Sequence, residues 1–181
     1  AFIGESYSGK AQLLNRWIRN DFREALPPTI SSYRCEKLIP DLKIQFEAWG
    51  VKSNHGYRSM MKIYLTNSSL CLICIDLSNS INKCISEIIS FTQELVQCKL
   101  RSVVVGTKND IQVCRDQVQQ FCDWNRIAFI AVSAQTSENI DQLTDFILKQ
   151  KEEEKFYFSI QKQLLSPIKI ESDDDVKMIR F

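Results

Sequence analysis

The chain has 181 residues, of which 44% are hydrophobic and 25% are charged, as is ordinary for a folded, water-soluble domain. Its formal net charge of +1 provides neither the positive field that nucleic-acid binding requires nor a charged face for a membrane. The seven cysteines are odd in number and several lie in apolar runs, which excludes a disulfide scaffold and predicts a reducing, cytoplasmic location. The length suits one domain with a sizeable core and a further segment.

A glycine-rich loop stands near the start of the chain, between an apolar run at 1–3 and apolar residues at helical spacing over 12–18. The loop matches the phosphate-binding pattern G-x-x-x-x-G-K-[ST] in every fixed place except the last. Its residues are Gly4, Glu5, Ser6, Tyr7, Ser8, Gly9, Lys10 and Ala11. The glycines allow backbone N–H groups to surround phosphate oxygens, and Lys10 adds a positive charge. We therefore predict a nucleotide site, with a purely structural glycine turn as the alternative.

Strands and helices alternate along the rest of the chain. Apolar runs or alternating patterns predict strands at 33–39, 42–48, 70–77, 103–106 and 127–132. Helical spacing predicts helices around 60–65 and at 79–97, 116–124 and 139–151. The first two of these strands are joined too tightly for a crossover, so we expect that pair to be antiparallel. The pattern predicts an α/β fold with a doubly wound, mostly parallel six-stranded sheet, flanking helices and a ligand beyond the carboxyl ends of the strands.

A second candidate loop, Thr107-Lys108-Asn109-Asp110, follows the buried strand at 103–106. A carboxylate in this loop can accept both the ring N–H and the exocyclic amine of guanine, a donor pair that adenine does not present. The aliphatic stem of Lys108 can cover the plane of the base. The loop therefore predicts guanine recognition by Asp110, and the alternative is an exposed turn that contains an aspartate.

Five segments, in this order along the chain, resemble the nucleotide motifs of Ras-superfamily small GTPases. They are Gly4–Ala11, Thr29, Glu47–Gly50, Thr107–Asp110 and Ser133–Gln135. The resemblance spans about residues 1–150, and the stretch Tyr57–Met60 is similar to the second switch of the Rab branch. It implies a divergent, Rab-like small GTPase with a P-loop G domain at 1–151 that binds GDP or GTP and Mg²⁺.

The resemblance also implies a role for each matching residue. The guanine base would be held by Phe22, Thr107, Lys108, Asp110, Ser133, Ala134 and Gln135. The phosphates would be held by the loop Gly4–Ala11 and by the backbone N–H of Gly50. The hydroxyl of Thr29 would bind Mg²⁺, with Glu47 acting on the metal only indirectly.

Several residues depart from the family's pattern around the metal and the terminal phosphate. Ala11 has no hydroxyl for Mg²⁺, and Glu47 replaces the usual aspartate. Val51 replaces the glutamine that orients the attacking water, so no catalytic residue is assigned. We therefore predict a guanine-nucleotide-binding protein with weak or impaired GTP hydrolysis and a weakened or absent Mg²⁺ site. The alternative is a pseudo-GTPase that serves as an interaction scaffold without turnover.

The Rab likeness implies a setting as well as a ligand. It implies a role in vesicle trafficking or signalling, with effector or regulatory proteins as partners and no nucleic acid. The expected location is cytoplasmic. The likeness to Rab proteins adds peripheral attachment to endomembranes as an alternative. Membrane contact would then require lipidation outside the 181 residues.

Residues 152–181 exceed what a small-GTPase fold needs. Residues 152–175 are predicted to form a C-terminal extension or linker, apolar at first and acidic later. Residues 176–181 are strand-like and similar to the apolar run that precedes a phosphate loop. Two alternatives therefore stay open for this end: the start of a second G domain, or an ordinary C-terminal extension.

Overall fold

The protein is described by a computed structural model over residues 1–24, 31–53, 55–98 and 100–150. Two compact units divide the chain, Ala1–Leu143 and Thr144–Phe181. The second unit is described only at 144–150, which are helical. Thr29, the predicted extension at 152–175 and the strand-like segment at 176–181 lie outside the described residues.

The first unit alternates strands and helices, as its sequence pattern predicts. In chain order the elements are β1 (Phe2–Ile3), α1 (Lys10–Arg19), β2 (Tyr33–Ile39), β3 (Ile44–Gly50), α2 (Arg58–Thr66), β4 (Cys71–Asp76), α3 (Ile81–Gln97), β5 (Ser102–Thr107), α4 (Arg115–Trp124) and β6 (Phe129–Ala131). A further helix, α5, is described at 140–150. Short 3-10 turns lie at Pro40–Leu42, His55–Tyr57 and Asn109–Ile111.

The six strands form one sheet in the order β2-β3-β1-β4-β5-β6. Strands β2 and β3 are antiparallel, and the other neighbouring pairs are parallel. The turn Pro40–Leu42 joins β2 to β3 and is much shorter than the crossover that parallel strands need. The predicted doubly wound, mostly parallel α/β fold is confirmed.

The core lies on the parallel strands and under the helices that flank them. All six residues of β4 are buried, which explains why this strand is apolar without alternation. The indole of Trp17 in α1 lies 5.6 Å from the Phe2 ring and 5.6 Å from the Phe46 ring, measured between ring centroids. Within the described ranges, no helix is both long and apolar enough to cross a membrane.

Strand β3 differs from its predicted bounds of 42–48. Leu42 belongs to the 3-10 turn and Lys43 adopts a left-handed φ of 52°, so the strand begins only at Ile44. At its other end the strand continues to Gly50, which pairs with Phe2 of β1. The loop after β3 therefore starts at Val51, after the motif Glu47–Gly50 rather than within it.

The parallel strands β1, β4, β5 and β6 lead into loops at one edge of the sheet. These loops occupy residues 4–9, 77–80, 108–114 and 132–139. The carboxyl ends of parallel strands are where open α/β sheets bind their ligands. Two of the predicted motifs begin in these loops and a third begins at Thr107, the last residue of β5.

Candidate nucleotide-binding site

The glycine-rich loop between β1 and α1 depends on close approach at both of its glycines. A Cβ at Gly4 would lie 2.5 Å from the carbonyl oxygen of Cys74, so only glycine fits against β4. Gly9 has a left-handed φ of 76° and caps the start of α1. Tyr7 also has a left-handed φ, 66°, and is 74% exposed. For a residue with a side chain, that conformation costs about 1 kcal/mol, so the loop stores strain at this position.

Lys10 opens α1 and carries a buried ammonium group, with only 6% of the residue exposed. Its Nζ donates to the carbonyl oxygen of Gly4 at 3.2 Å and to Ser53 Oγ at 3.4 Å. Burial lowers the pKa of Lys10, because desolvation penalises the charged form. Among the described residues no carboxylate forms an ion pair with it. A bound anion would supply the missing negative charge.

Ser8 provides a second sign that the loop is built around a ligand. Its Oγ is buried and has no hydrogen-bond partner in the described part of the chain. A Cβ at Gly4 would lie 2.6 Å from this atom, so the hydroxyl lies against Gly4, the first residue of the loop. Buried hydroxyls are nearly always bonded, so an orphan one in a phosphate-type loop fits a polar ligand.

Thr107, at the end of β5, ties the loop after that strand to the glycine-rich loop. Its Oγ1 donates to the carbonyl oxygen of Ser8 at 2.7 Å and lies 3.1 Å from the carbonyl oxygen of Ile75. A Cβ at Gly9 would lie 3.1 Å from the same Oγ1, so the two loops are in contact there as well. Thr107 thus has a positioning role that its place in the motif did not reveal.

The predicted guanine-reading residues come together at the ends of β5 and β6. Ser133 Oγ donates to Asp110 Oδ1 at 2.5 Å, and the backbone N–H of Thr136 donates to Ser133 Oγ at 3.2 Å. Ser133 is fully buried while Asp110 is exposed, so the serine holds the carboxylate from below and leaves it accessible. This geometry suits a carboxylate that accepts hydrogen bonds from a base.

Arg16 of α1 connects the loop after β6 to the predicted base contact Phe22. Its Nε donates to the carbonyl oxygen of Ala134 at 2.7 Å, and its Nη2 lies 3.4 Å from that of Gln135. The same guanidinium lies 5.8 Å from the centroid of the Phe22 ring. The sequence interpretation missed Arg16, because a half-buried arginine in an amphipathic helix gives no signal of such a role.

Lys108 lies in the loop as predicted, but its charged end is engaged. Its Nζ lies 2.5 Å from Asp76 Oδ2 at the end of β4. Burial raises the pKa of Asp76, but the hydrogen bonds from Lys108 and Ser78 outweigh this effect, and the net shift is downward. The ion pair fixes the ammonium and leaves the aliphatic stem as the part that can cover a base.

Glu47 is not placed where the motif assignment expects it. It lies within β3, opposite Glu36 of β2, with its side chain about half exposed. Its carboxylate oxygens bond to Arg34 Nη2 at 2.9 Å and to Trp49 Nε1 at 2.9 Å. In this structure the Glu47 carboxylate therefore belongs to a surface cluster on the sheet, and its action on a metal stays a prediction.

Gly50 and Val51 are both held by contacts with the sheet. Gly50 sits in the sheet between Phe2 of β1 and Tyr33 of β2, and a Cβ on it would lie 2.5 Å from the Tyr33 ring. Val51 is 0% exposed, belongs to the core, and donates its backbone N–H to the carbonyl oxygen of Phe2. Gly50 is thus a sheet residue, and Val51 is a core residue.

Ser53 is the residue of this segment that reaches the glycine-rich loop, and the sequence interpretation missed it. Its Oγ accepts from the backbone N–H of Gly4 at 2.8 Å and donates to the carbonyl oxygen of Gly4 at 2.7 Å. Ser53 therefore occupies the motif position that the sequence analysis assigned to Gly50. Gly50 in turn occupies the motif position assigned to Glu47. Counting back from the Tyr57–Met60 stretch could have given this alignment.

The predicted Mg²⁺ position has few side-chain oxygens among the described residues. Ala11 offers no oxygen, Gly50 has no side chain, and Glu47 is engaged elsewhere. No group of three or more His, Cys, Asp or Glu side chains that could hold a metal occurs in the described ranges. Thr29, the remaining predicted ligand, is outside them.

Comparison with known proteins adds an independent view of the chain. A family model described as "Ras family" matches residues 1–153. The Ras-related protein Rab-11C of Dictyostelium discoideum is 28% identical over 153 residues, which cover 81% of this chain and 68% of that protein. The GTP-binding protein YPT53 of Saccharomyces cerevisiae is 27% identical over 155 residues, which cover 78% of this chain and 70% of that protein. All the loops described above fall inside the matched residues.

Proposed function

Because the chain belongs to the Ras family, whose members bind guanine nucleotides, we propose that it binds GDP and GTP at the loop edge of its sheet. The observation that carries this proposal is the buried ammonium of Lys10, which has no acidic partner among the described residues. A diphosphate or triphosphate provides the anion, and the backbone of the loop from Gly4 to Gly9 provides its N–H donors.

The base is selected by a carboxylate whose direction is fixed before the ligand arrives. Asp110 accepts from the ring N–H and exocyclic amine of guanine while Ser133 keeps its other contact. Arg16 holds the loop at Ala134 and Gln135, so the backbone there meets the base without first having to be ordered. Thr107 keeps this region in register with the phosphate loop.

We also propose that GTP hydrolysis is slow and depends little on Mg²⁺. Ala11 and Gly50 each remove an oxygen from the neighbourhood of the terminal phosphates, which supports this proposal. Val51 plays no part in it, because that residue is in the core. The expected rate is at or below that of an unassisted small GTPase, about 10⁻⁴ per second.

Three measurements on the purified protein test these two proposals. Denaturation followed by chromatography should release GDP or GTP, and unlabelled ATP should fail to displace labelled GDP. Equal displacement by ATP and GDP would overturn the guanine assignment. Single-turnover hydrolysis with and without EDTA tests the second proposal, which robust turnover abolished by EDTA would contradict.

A second candidate function is a pseudo-GTPase scaffold that binds partners without using nucleotide. The bonds among Ser53, Gly4 and Lys10 support it, because they hold the loop together with no ligand. A scaffold of this kind would be purified without nucleotide, and millimolar GDP would leave its melting temperature unchanged. Nucleotide-dependent stabilisation would exclude it.

We propose vesicle trafficking or signalling as the setting, through effector or regulatory proteins and peripheral contact with endomembranes. The likeness to a Ras-related protein named Rab-11C supports this proposal. Imaging a tagged, full-length gene product would test the location. A uniform distribution that does not change with nucleotide state would argue against membrane attachment.

A further inference from the structure

Ser53 has used all the hydrogen-bonding capacity of its hydroxyl. A serine hydroxyl has one donor and two acceptor positions. Its oxygen accepts from Gly4 N–H at 2.8 Å and from Lys10 Nζ at 3.4 Å, and its proton goes to the carbonyl oxygen of Gly4 at 2.7 Å. The residue is 1% exposed, so water does not compete for these bonds. The hydroxyl has nothing left to donate to a phosphate oxygen, and its two bonds to Gly4 also fix the position of the Ser53 backbone N–H.

The same hydroxyl binds the ammonium that the outer phosphates need. Lys10 has three N–H donors, and two of them point at Gly4 and Ser53 in the protein alone. A third phosphate adds negative charge at the end of the ligand nearest the segment after β3. The diphosphate part of the ligand takes the third donor. To meet the terminal phosphate as well, the ammonium must release Ser53 or share its bonds, and the Ser53 hydroxyl offers that phosphate no donor in return.

From this arrangement we propose that Ser53 is a specificity-determining residue that makes the site favour guanosine diphosphate over triphosphate. The proposal rests on the proposed function and adds to it the nucleotide form that the protein holds. A diphosphate needs only the glycine-rich loop and the ammonium, so the contact between Ser53 and Gly4 stays in place. A triphosphate forces a choice between that contact and its own terminal phosphate.

The segment that carries Ser53 is held by other contacts that need no ligand. Glu5 of the loop lies 3.6 Å from Arg58 Nη2 at the start of α2, and the Trp49 and Tyr64 rings lie 5.2 Å apart. These contacts oppose a rearrangement that would move Ser53 away from Gly4. We therefore expect the contact between Ser53 and Gly4 to remain when nucleotide binds, which maintains the preference for diphosphate.

The test is the ratio of GDP to GTPγS affinity, measured by competition against labelled GDP. The wild type should bind GDP about tenfold more tightly, the size of one hydrogen bond to a charged group. Ser53→Ala should move the ratio about tenfold toward GTPγS and leave discrimination against ADP unchanged. Ser86→Ala is the control, because Ser86 is an exposed serine of α3 whose hydroxyl bonds only within its helix.

Each outcome decides the matter. Equal affinity of the wild type for GDP and GTPγS would overturn the proposal, and this measurement needs no variant should Ser53→Ala fail to fold. An unchanged ratio in folded Ser53→Ala would overturn it too, while leaving guanine binding intact. If neither nucleotide binds, or ADP competes as well as GDP, the proposed function fails and the proposal fails with it.

Discussion

The base side of the site, formed by Thr107–Asp110 and Ser133–Gln135, differs from the terminal-phosphate side, formed by Gly50–Ser53. On the base side each key residue is fixed by a side-chain bond: Ser133 holds Asp110, and Thr107 holds the phosphate loop. On the terminal-phosphate side the expected acid is missing, and a serine hydroxyl occupies the contact with Gly4. Recognition of the base can therefore be retained in a chain whose contacts to the last phosphate have been replaced.

Lys10 joins the two sides, and replacing it should have the largest effect. Lys10→Met should weaken nucleotide binding about a hundredfold, since two hydrogen bonds to charged oxygens contribute about 3 kcal/mol or more. The nucleotide-free variant should be more stable than the wild type, because a buried ammonium without an acid partner is removed. Displacement of labelled GDP and urea unfolding measure the two effects.

The pH dependence of the same variant gives an independent check. Burial lowers the pKa of Lys10 in the folded protein below the ordinary value of 10.5. At a pH between the folded-state pKa and 10.5, the unfolded chain therefore holds more protons than the folded one. The stability of the nucleotide-free wild type should therefore rise with pH across that window, relative to Lys10→Met. Parallel profiles, or an unchanged GDP affinity, would show that Lys10 is not a desolvated phosphate ligand. Lys83→Met, at an exposed position of α3, serves as the control.

Removing the charge on the base side should cost somewhat less. Asp110→Asn should weaken GDP binding by more than tenfold, because a hydrogen-bonded charged group contributes about 1.5–3 kcal/mol. Binding of adenine nucleotides should stay equally poor, which competition against labelled GDP can measure. Asp116→Asn, an exposed acid in the first turn of α4, should have no effect. A similar loss in both variants would show that net charge rather than Asp110 is responsible.

A substitution at Gly50 tests whether this residue is a sheet residue rather than a contact to the terminal phosphate. Gly50→Ala should destabilise the protein by about 1–2 kcal/mol, because the new Cβ would lie 2.5 Å from the Tyr33 ring. Gly56→Ala is the matched control, since a Cβ there has nothing within 4 Å. Urea unfolding of both variants decides. Unchanged stability with a large loss of GTPγS affinity would instead favour Gly50 as a phosphate contact.

The smallest effect is expected at Glu47. Its bond to Arg34 is about half exposed, and such pairs contribute roughly 0–1 kcal/mol, so Glu47→Ala should barely change stability. The GDP affinity and its response to Mg²⁺ should not change at all, as titration with and without the metal can show. A weaker Mg²⁺ response in this variant would show that Glu47 contributes to metal binding.

The sequence predicts the sheet well, and it places Asp110 and Ser133 at the same edge of it, because the signals for both are local. Strands β5 and β6 read as mostly apolar runs, and Asp110 and Ser133 lie within three residues of their ends. The carboxylate and its serine are far apart in sequence, but each is placed by the end of its own strand. Local patterns were therefore enough to bring them to the same edge.

The alternating pattern of β3 does not by itself predict where this strand ends. Glu47 and Gly50 have the spacing of an acid-to-glycine motif, and nothing in the alternating pattern shows where the strand stops. That limit is set by a distant partner, since Phe2 of β1 pairs with Gly50 and its carbonyl accepts from Val51. Register between strands far apart in sequence decided which residue reached Gly4.

The Thr107 hydroxyl, which bonds to the carbonyl oxygen of Ser8 at 2.7 Å, has a thermodynamic consequence for ligands smaller than a nucleotide. Guanosine alone would contact the loop after β5, and pyrophosphate alone would contact the glycine-rich loop. Because one hydroxyl joins the two loops, a ligand that shifts either loop changes the free energy of binding at the other. Linkage then requires reciprocity: whatever factor guanosine adds to the affinity for pyrophosphate, pyrophosphate adds to the affinity for guanosine.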